Sequence, residues 1–199
     1  MTDSNYTYLA FLVDRSGSMS TTREAAQQAL KTMVDEQRSL PGELTVNLFQ
    51  FDDLFSEVPE MEIDEWQLVP RGMTALYDAV GKSMMTVGQR LAAMAETDRP
   101  GKVVFVIVTD GEENASREWT QPMVRDLVTA QQDDYGWQVV FTAANLDARE
   151  VAATIGAASA MNYAATATGT AANYDTLSRA VNDYRAGSTL GVVVPENAQ

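Results

Sequence analysis

The sequence predicts an α/β protein, a Rossmann-like three-layer α/β/α arrangement around a mainly parallel central sheet of about six strands with one antiparallel edge strand. Short apolar runs rich in β-formers alternate with longer amphipathic segments, the order expected of βα units. One run, Lys102-Val103-Val104-Phe105-Val106-Ile107-Val108-Thr109, is apolar almost throughout, as a central parallel strand covered on both faces should be. The 199 residues are 45% apolar, enough for one domain with a substantial core.

The first strand is expected near 7–13, through Tyr8-Leu9-Ala10-Phe11-Leu12-Val13. A helix follows from near Thr21. Thr21-Thr22-Arg23-Glu24 has the spacing of a capping box, Ala26, Ala29, Leu30, Met33 and Val34 form one apolar face, and Pro41-Gly42 ends the unit. Residues 44–51 alternate apolar and polar, and Asp52-Asp53 turns the chain into an antiparallel edge strand over 54–58. After a loop carrying Pro59 and Pro70, Leu76, Val80, Met84, Val87, Leu91 and Met94 recur at helical spacing, with Pro100-Gly101 closing that helix. Met84, Met85 and Met94 read as core filling. The central strand then ends in Asp110-Gly111. A helix near 121–133, a strand over 137–142, a short helix near 147–155, a strand near 160–163 and a helix near 172–185 complete the pattern, with the Ala/Thr-rich stretch 164–172 as a loop. Residues 1–186 are expected to form the single domain and 187–199 a flexible tail.

Composition narrows the function. Fourteen basic against twenty-eight acidic residues give a formal charge of −14, so nucleic acid and anionic lipid are repelled on average. With no Cys and no His, disulfides, zinc fingers, Cys or His nucleophiles and imidazole proton transfer are excluded, and any metal must be held by oxygen. No stretch approaches the roughly 20 apolar residues of a membrane helix. The amino terminus MTDSNYTY lacks the regions of a signal peptide, so a cytoplasmic monomer is the expectation.

In open parallel sheets the loops after the strands converge on one crevice. Three motifs fall there: Asp14, Ser16 and Ser18 after the first strand; Thr74 at the entrance to the long helix; and Asp110 after the central strand. DRSGS, GMTALYDAV and VIVTDGEEN, in this order and on these elements, resemble a von Willebrand factor A domain over essentially the whole chain. The resemblance implies a metal-ion-dependent adhesion site, with Asp14, Ser16, Ser18, Thr74 and Asp110 holding Mg²⁺ or Mn²⁺, Ca²⁺ being a further candidate. It also implies a non-enzymatic protein-binding module that docks the Asp or Glu carboxylate of another protein on the ion. The donor chemistry agrees, because Mg²⁺ wants about six hard oxygen ligands and three hydroxyls, two carboxylates and water supply them. Alternate spacing in a tight turn would aim the first three residues at one ion, with Gly17 letting the backbone curve.

Singly, each residue has an ordinary explanation as a turn or helix cap; the joint occurrence favours the site. Glu112 or Glu113 could compete for the metal, but a solvated acidic loop is the expectation. Asn145 and Asp147 read as loop and helix-cap residues, although similar A-N-x-D-A segments occur in stand-alone bacterial and phage-type members of the resembled family. Met73 stands where many such domains have glycine, and is a candidate partner contact. The enzyme alternative is an aspartyl-phosphate phosphotransferase of the haloacid dehalogenase kind, which expects a second Asp where this chain has Ser16. A serine hydrolase lacks a base in the absence of His. A metal-independent scaffold is the third alternative.

Overall fold

The computed structural model describes residues 1–190. Six strands and five helices alternate: β1 (Asp3–Asp14), α1 (Arg23–Ser39), β2 (Glu43–Phe51), β3 (Phe55–Val58), α2 (Leu76–Ala93), β4 (Pro100–Thr109), α3 (Gln121–Asp133), β5 (Gln138–Ala144), α4 (Ala148–Ile155), β6 (Ser159–Tyr163) and α5 (Ala167–Arg185). The sheet order is β3-β2-β1-β4-β5-β6. Every pairing is parallel except β2 with β3, which places the antiparallel strand at the edge as its sequence predicts.

Period-two alternation divides the core into two layers. Tyr8, Ala10 and Leu12 of β1 and Val103, Phe105 and Ile107 of β4 face α2, α3 and α4. Leu9, Phe11 and Val13 with Val104, Val106 and Val108 face α1 and α5. β1 and β4 are therefore apolar on both faces, which is why their sequences read as continuous apolar runs.

The order along the sheet reverses between β1 and β4: β2 and β3 extend to one side, β5 and β6 to the other. Loops after these two strands part in opposite directions and leave a crevice between them. Asp14 is the last residue of β1, and Asp110 follows the last residue of β4.

Several local expectations are corrected. Pro100-Gly101 opens β4 rather than merely ending the preceding helix, because Pro100 pairs with Asp3 on the lengthened β1. The capping box is absent: a 3₁₀ turn over Gly17–Thr21 precedes α1, and its N-cap Thr22 makes no side-chain cap hydrogen bond. α5 starts at Ala167, inside the stretch expected to be loop, because the Thr166 hydroxyl accepts from Gly169 N–H and caps it. Met84 is buried and Met94, just past the end of α2, packs partly buried against the same core, but Met85 is 41% exposed. Of the segment expected to be loose from Gly187, Leu190 is buried in the α1/α5 layer. The remaining residues, 191–199, lie outside the described ones. Among the described residues, no helix is long and apolar enough to cross a membrane.

Candidate cation site

Asp14 is wholly buried at the mouth of the crevice. Its Oδ1 accepts from Ser16 N–H at 2.6 Å and its Oδ2 from Thr109 Oγ1 at 2.6 Å. The first bond is an Asx turn that swings the chain off the strand and into the 3₁₀ turn. Met19, fully buried in the α1/α5 layer, anchors that turn, while the Ser16 and Ser18 hydroxyls lie 3.0 Å apart. Ser18 Oγ donates to Asp110 Oδ1 at 2.5 Å. Ser16 is buried and Ser18 exposed, so the cluster opens to solvent on the Ser18 side.

Thr74 arrives on the second loop and is fixed through its backbone. Its N–H donates to Asn114 Oδ1 at 2.9 Å, and Asn114 N–H donates to Thr74 O at 3.0 Å. Gly111 reveals the convergence: a Cβ there would lie 2.8 Å from Thr74 Oγ1, 3.4 Å from Ser18 Oγ and 3.5 Å from Ser16 Oγ. Three hydroxyls from two loops thus border one small space beside Asp110. Asp110 Oδ2 is buried without a hydrogen-bond partner among the described residues.

The two carboxylates are costly as they stand. Burial pushes Asp14 up to about 6 against hydrogen bonds from Thr109 and Ser16, and the nearby Asp110 charge adds to the rise. Burial also raises Asp110, with the Ser18 bond opposing. The Tyr163 phenol is raised by burial and by the Asp110 and Asp14 charges, which places it in the field of both.

This donor set suits a hard divalent cation. It offers two carboxylates, one oxygen of which is orphaned, three hydroxyls and a space that a single methyl would intrude upon. Among the described residues no three His, Cys, Asp or Glu side chains gather to hold a metal, so only two carboxylates would bring charge to an ion here.

Two further carboxylates hold the loops in place, and sequence reading missed both roles. Asp52, buried at the end of β2, lies 2.7 Å from Arg71 Nε and 2.9 Å from Arg15 Nε, and also accepts from Leu54 N–H at 2.6 Å. Burial alone would raise Asp52, but the Arg71 and Leu54 bonds and the Arg15 charge hold it below the usual carboxylate range. This brings the 71–75 loop against the 14–18 loop, where Arg71 N–H donates to Arg15 O at 2.8 Å and Gly17 N–H to Gly72 O at 3.3 Å. Gly72 adopts a left-handed φ of 64°, whereas Gly17 does not, and a Cβ at Gly17 would make only an ordinary 3.6 Å contact. The conformational demand expected at Gly17 therefore falls on Gly72.

On the other side, Asp78 in the first turn of α2 accepts from the N–H groups of Arg117, Glu118 and Trp119 at 3.0, 2.9 and 2.7 Å. Glu113 returns the bond, accepting from Tyr77 N–H at 2.9 Å, and Ser116 Oγ accepts from Asp78 N–H at 3.0 Å. The loop after β4 thereby caps α2, whose own N-cap, Ala75, has no side-chain oxygen. Trp119 lies over Gly81, where a Cβ would come within 2.1 Å of the indole. Glu113 is accordingly not a solvated acid, both of its oxygens being taken up by the loop and the start of α2. Its Oε1 also accepts from the Ala115 and Ser116 N–H groups. The available signals were an acid, Asp78, directly beside the apolar stripe of α2, and the hydroxyl of Thr109 directly before Asp110. Asp147 does cap α4, accepting from Arg149 and Glu150 N–H, and Asn145 takes a left-handed φ of 59° in the loop before it.

No protein-family model and no curated protein sequence matches the chain. Solved structures do. A von Willebrand factor type A protein from Catenulispora acidiphila superposes with a TM-score of 0.64 at 13% identity, over 86% of this chain and 42% of the other. Proximal thread matrix protein 1 from the mussel byssus gives 0.60 at 15% identity, over 88% and 46%. The conserved hypothetical protein BatB from Bacteroides thetaiotaomicron gives 0.60 at 13% identity, over 92% of this chain and 100% of that one. The chain spans less than half the length of the first two. At these identities the likeness establishes the fold: this is the von Willebrand factor A fold, as the motifs led one to expect.

Proposed function

We propose that the protein is a non-enzymatic, divalent-cation-dependent protein-binding module. Asp14, Ser16, Ser18, Thr74 and Asp110 would hold Mg²⁺ or Mn²⁺, and the carboxylate of a partner's Asp or Glu would complete the coordination. The observation that carries this reading is the convergence of three hydroxyls on one space beside the orphaned Asp110 Oδ2. Asp14 and Asp110 would supply charge, and the hydroxyls would supply neutral oxygen. The solvent-facing Ser18 side leaves a direction from which a partner can approach. Thr109 and the Ser16 N–H orient Asp14. A cation would offset the burial that raises both carboxylates.

The test is thermal unfolding after EDTA and again with Mg²⁺ or Mn²⁺. At a hundred times its dissociation constant the ion should stabilise by about 2.7 kcal/mol. Asp110→Ala should abolish the response, and Gly111→Ala should weaken it by forcing the Thr74 hydroxyl, 2.8 Å from the added Cβ, to shift while leaving both carboxylates in place. A wild-type midpoint indifferent to every cation tested would leave a metal-independent scaffold as the reading.

A further inference from the structure

Polar atoms without a partner extend beyond the five proposed ligands. Asp110 Oδ2, the Tyr163 hydroxyl and Asn173 Oδ1 are each buried, and each lacks a hydrogen-bond partner among the described residues. They are of complementary kind, the phenol being a donor and the carboxylate and amide oxygens acceptors. Buried polar groups rarely stay unpaired.

The strand register puts the three in one corner. Thr109 pairs with Ala143 and Ala144 with Tyr163, so Asp110, Ala144 and Tyr163 follow one another across β4, β5 and β6. Val108, Val140 and Met161 face α1 and α5, and period-two alternation carries Asp110, Ala144 and Tyr163 to that same face. Adjacent strands lie about 4.8 Å apart, so the Asp110 and Tyr163 backbones are about 10 Å apart, and the residue in the row between them has only a methyl side chain. A phenol laid over Ala144 covers most of that span. The Asp110 and Asp14 charges both act on this phenol. α5 roofs the row: Asn173 Nδ2 donates at 2.8 Å to Thr142 Oγ1, two residues before Ala144 on the same face, which brings Asn173 Oδ1 over it. Tyr174 is the contrast. Its hydroxyl is also buried and orphaned, but its phenol is raised by burial and by Tyr163 rather than by either carboxylate.

No direct hydrogen bond joins the three atoms, and one water among them would satisfy all. It would accept from Tyr163 and donate to Asp110 Oδ2 and Asn173 Oδ1, the roughly three bonds that a buried water makes. A carboxylate oxygen has two lone pairs, so Oδ2 can accept from this water and still face an ion.

We infer that Tyr163 is a positioning residue of the cation site: through one buried water shared with Asn173, its hydroxyl fixes the Asp110 carboxylate for the ion. The inference rests on the cation-dependent reading above and extends the site to β6 and α5, which carry none of the five proposed ligands.

The test is titration of the whole protein with Mg²⁺, followed by calorimetry and by melting temperature, for wild type, Asp110→Ala, Tyr163→Phe and Tyr174→Phe. Each Phe variant keeps the ring and removes one orphaned hydroxyl. Tyr163→Phe should keep the wild-type melting temperature in EDTA and bind Mg²⁺ at least about tenfold more weakly, the loss expected when an outer partner of a metal ligand is removed. Tyr174→Phe should bind Mg²⁺ as wild type does. A packing role would move the two variants alike. Tyr163→Phe that binds Mg²⁺ as tightly as wild type would overturn the inference and leave the cation reading standing. Equal losses of affinity in the two Phe variants would do the same, as would a Tyr163→Phe protein that melts well below wild type in EDTA, since the hydroxyl would then serve the fold rather than the ion. A wild type that responds to Mg²⁺ no more than Asp110→Ala would overturn the cation reading and this inference with it.

Discussion

Four carboxylates are buried at the same end of the sheet, and they divide into two pairs. Asp52 and Asp78 lie below their ordinary pKa despite burial, because guanidinium groups or backbone N–H groups meet them. Asp14 and Asp110 lie above it, because burial outweighs the few hydroxyl and N–H donors they have. The first pair stabilises the folded chain in its charged form; the second costs stability in that form. A cation, on the reading proposed above, would relieve that cost for Asp14 and Asp110, whereas Asp52 and Asp78 already have their partners within the fold.

The largest effect should come from Asp78→Ala. It would strip three N–H groups of the 117–119 segment of their acceptor at once, loosening the loop that holds Thr74 through Asn114. At about 1 kcal/mol for each bond the loss is about 3 kcal/mol, or roughly 6–12 °C in melting temperature for a chain of this size. A loss below about 1 kcal/mol in chemical unfolding would mean that water satisfies these groups. Asp78 would then move out of the structural pair.

Asp52→Ala should cost less, about 2 kcal/mol. It leaves Arg15, only 9% exposed, without its counter-charge, but Arg71 is half exposed and can turn to solvent. The variant should also weaken Mg²⁺ stabilisation, since the 71–75 loop carries Thr74. A variant that loses stability but keeps full cation response would show that the Asn114 bonds alone hold Thr74.

The two pairs were unequally legible in the sequence. Asp14, Ser16, Ser18, Thr74 and Asp110 stand in short motifs at predicted strand and helix ends, where topology alone says that loops converge. The sheet, its antiparallel edge and α3 were legible for a similar reason, being written in local periodicity. Asp52 and Asp78 were not, because their partners lie up to 41 residues away in sequence and are largely backbone N–H groups that any residue type could supply. The start of α5 was missed because Ala, Thr and Gly dominate its first turn, and a single Thr166 cap decides it. The role of Glu113 could not be read either, since an acid in a polar loop looks solvated until the helix end it caps is placed beside it.

Asp14→Asn should reverse the sign. The amide carbonyl can still accept from Ser16 N–H and the amide nitrogen can donate to Thr109 Oγ1, while the buried charge is gone. In EDTA near neutral pH the variant should be more stable than wild type by about 1 kcal/mol, or roughly 2–4 °C. The wild type should show why. Asp14 takes up its proton near 6 when folded and near 3.8 when unfolded, so between those values the folded chain binds the proton and the unfolded chain does not. Stability in EDTA therefore falls as pH rises from 3.8 to 6 and is insensitive to this group above that, whereas Asp52 and Asp78, held low, contribute stability that is lost only as pH falls below the ordinary carboxylate range. Melting curves from pH 4.5 to 7 check the first statement, since the wild type should lose stability up to about pH 6 and Asp14→Asn should lose less; curves carried down to about pH 2.5 check the second. With Mg²⁺ present the wild-type trend should invert, because the ion competes with the proton for the same oxygens. A wild type whose EDTA profile matches that of Asp14→Asn would place Asp14 with the satisfied pair and remove the energetic reason for a cation between β1 and β4.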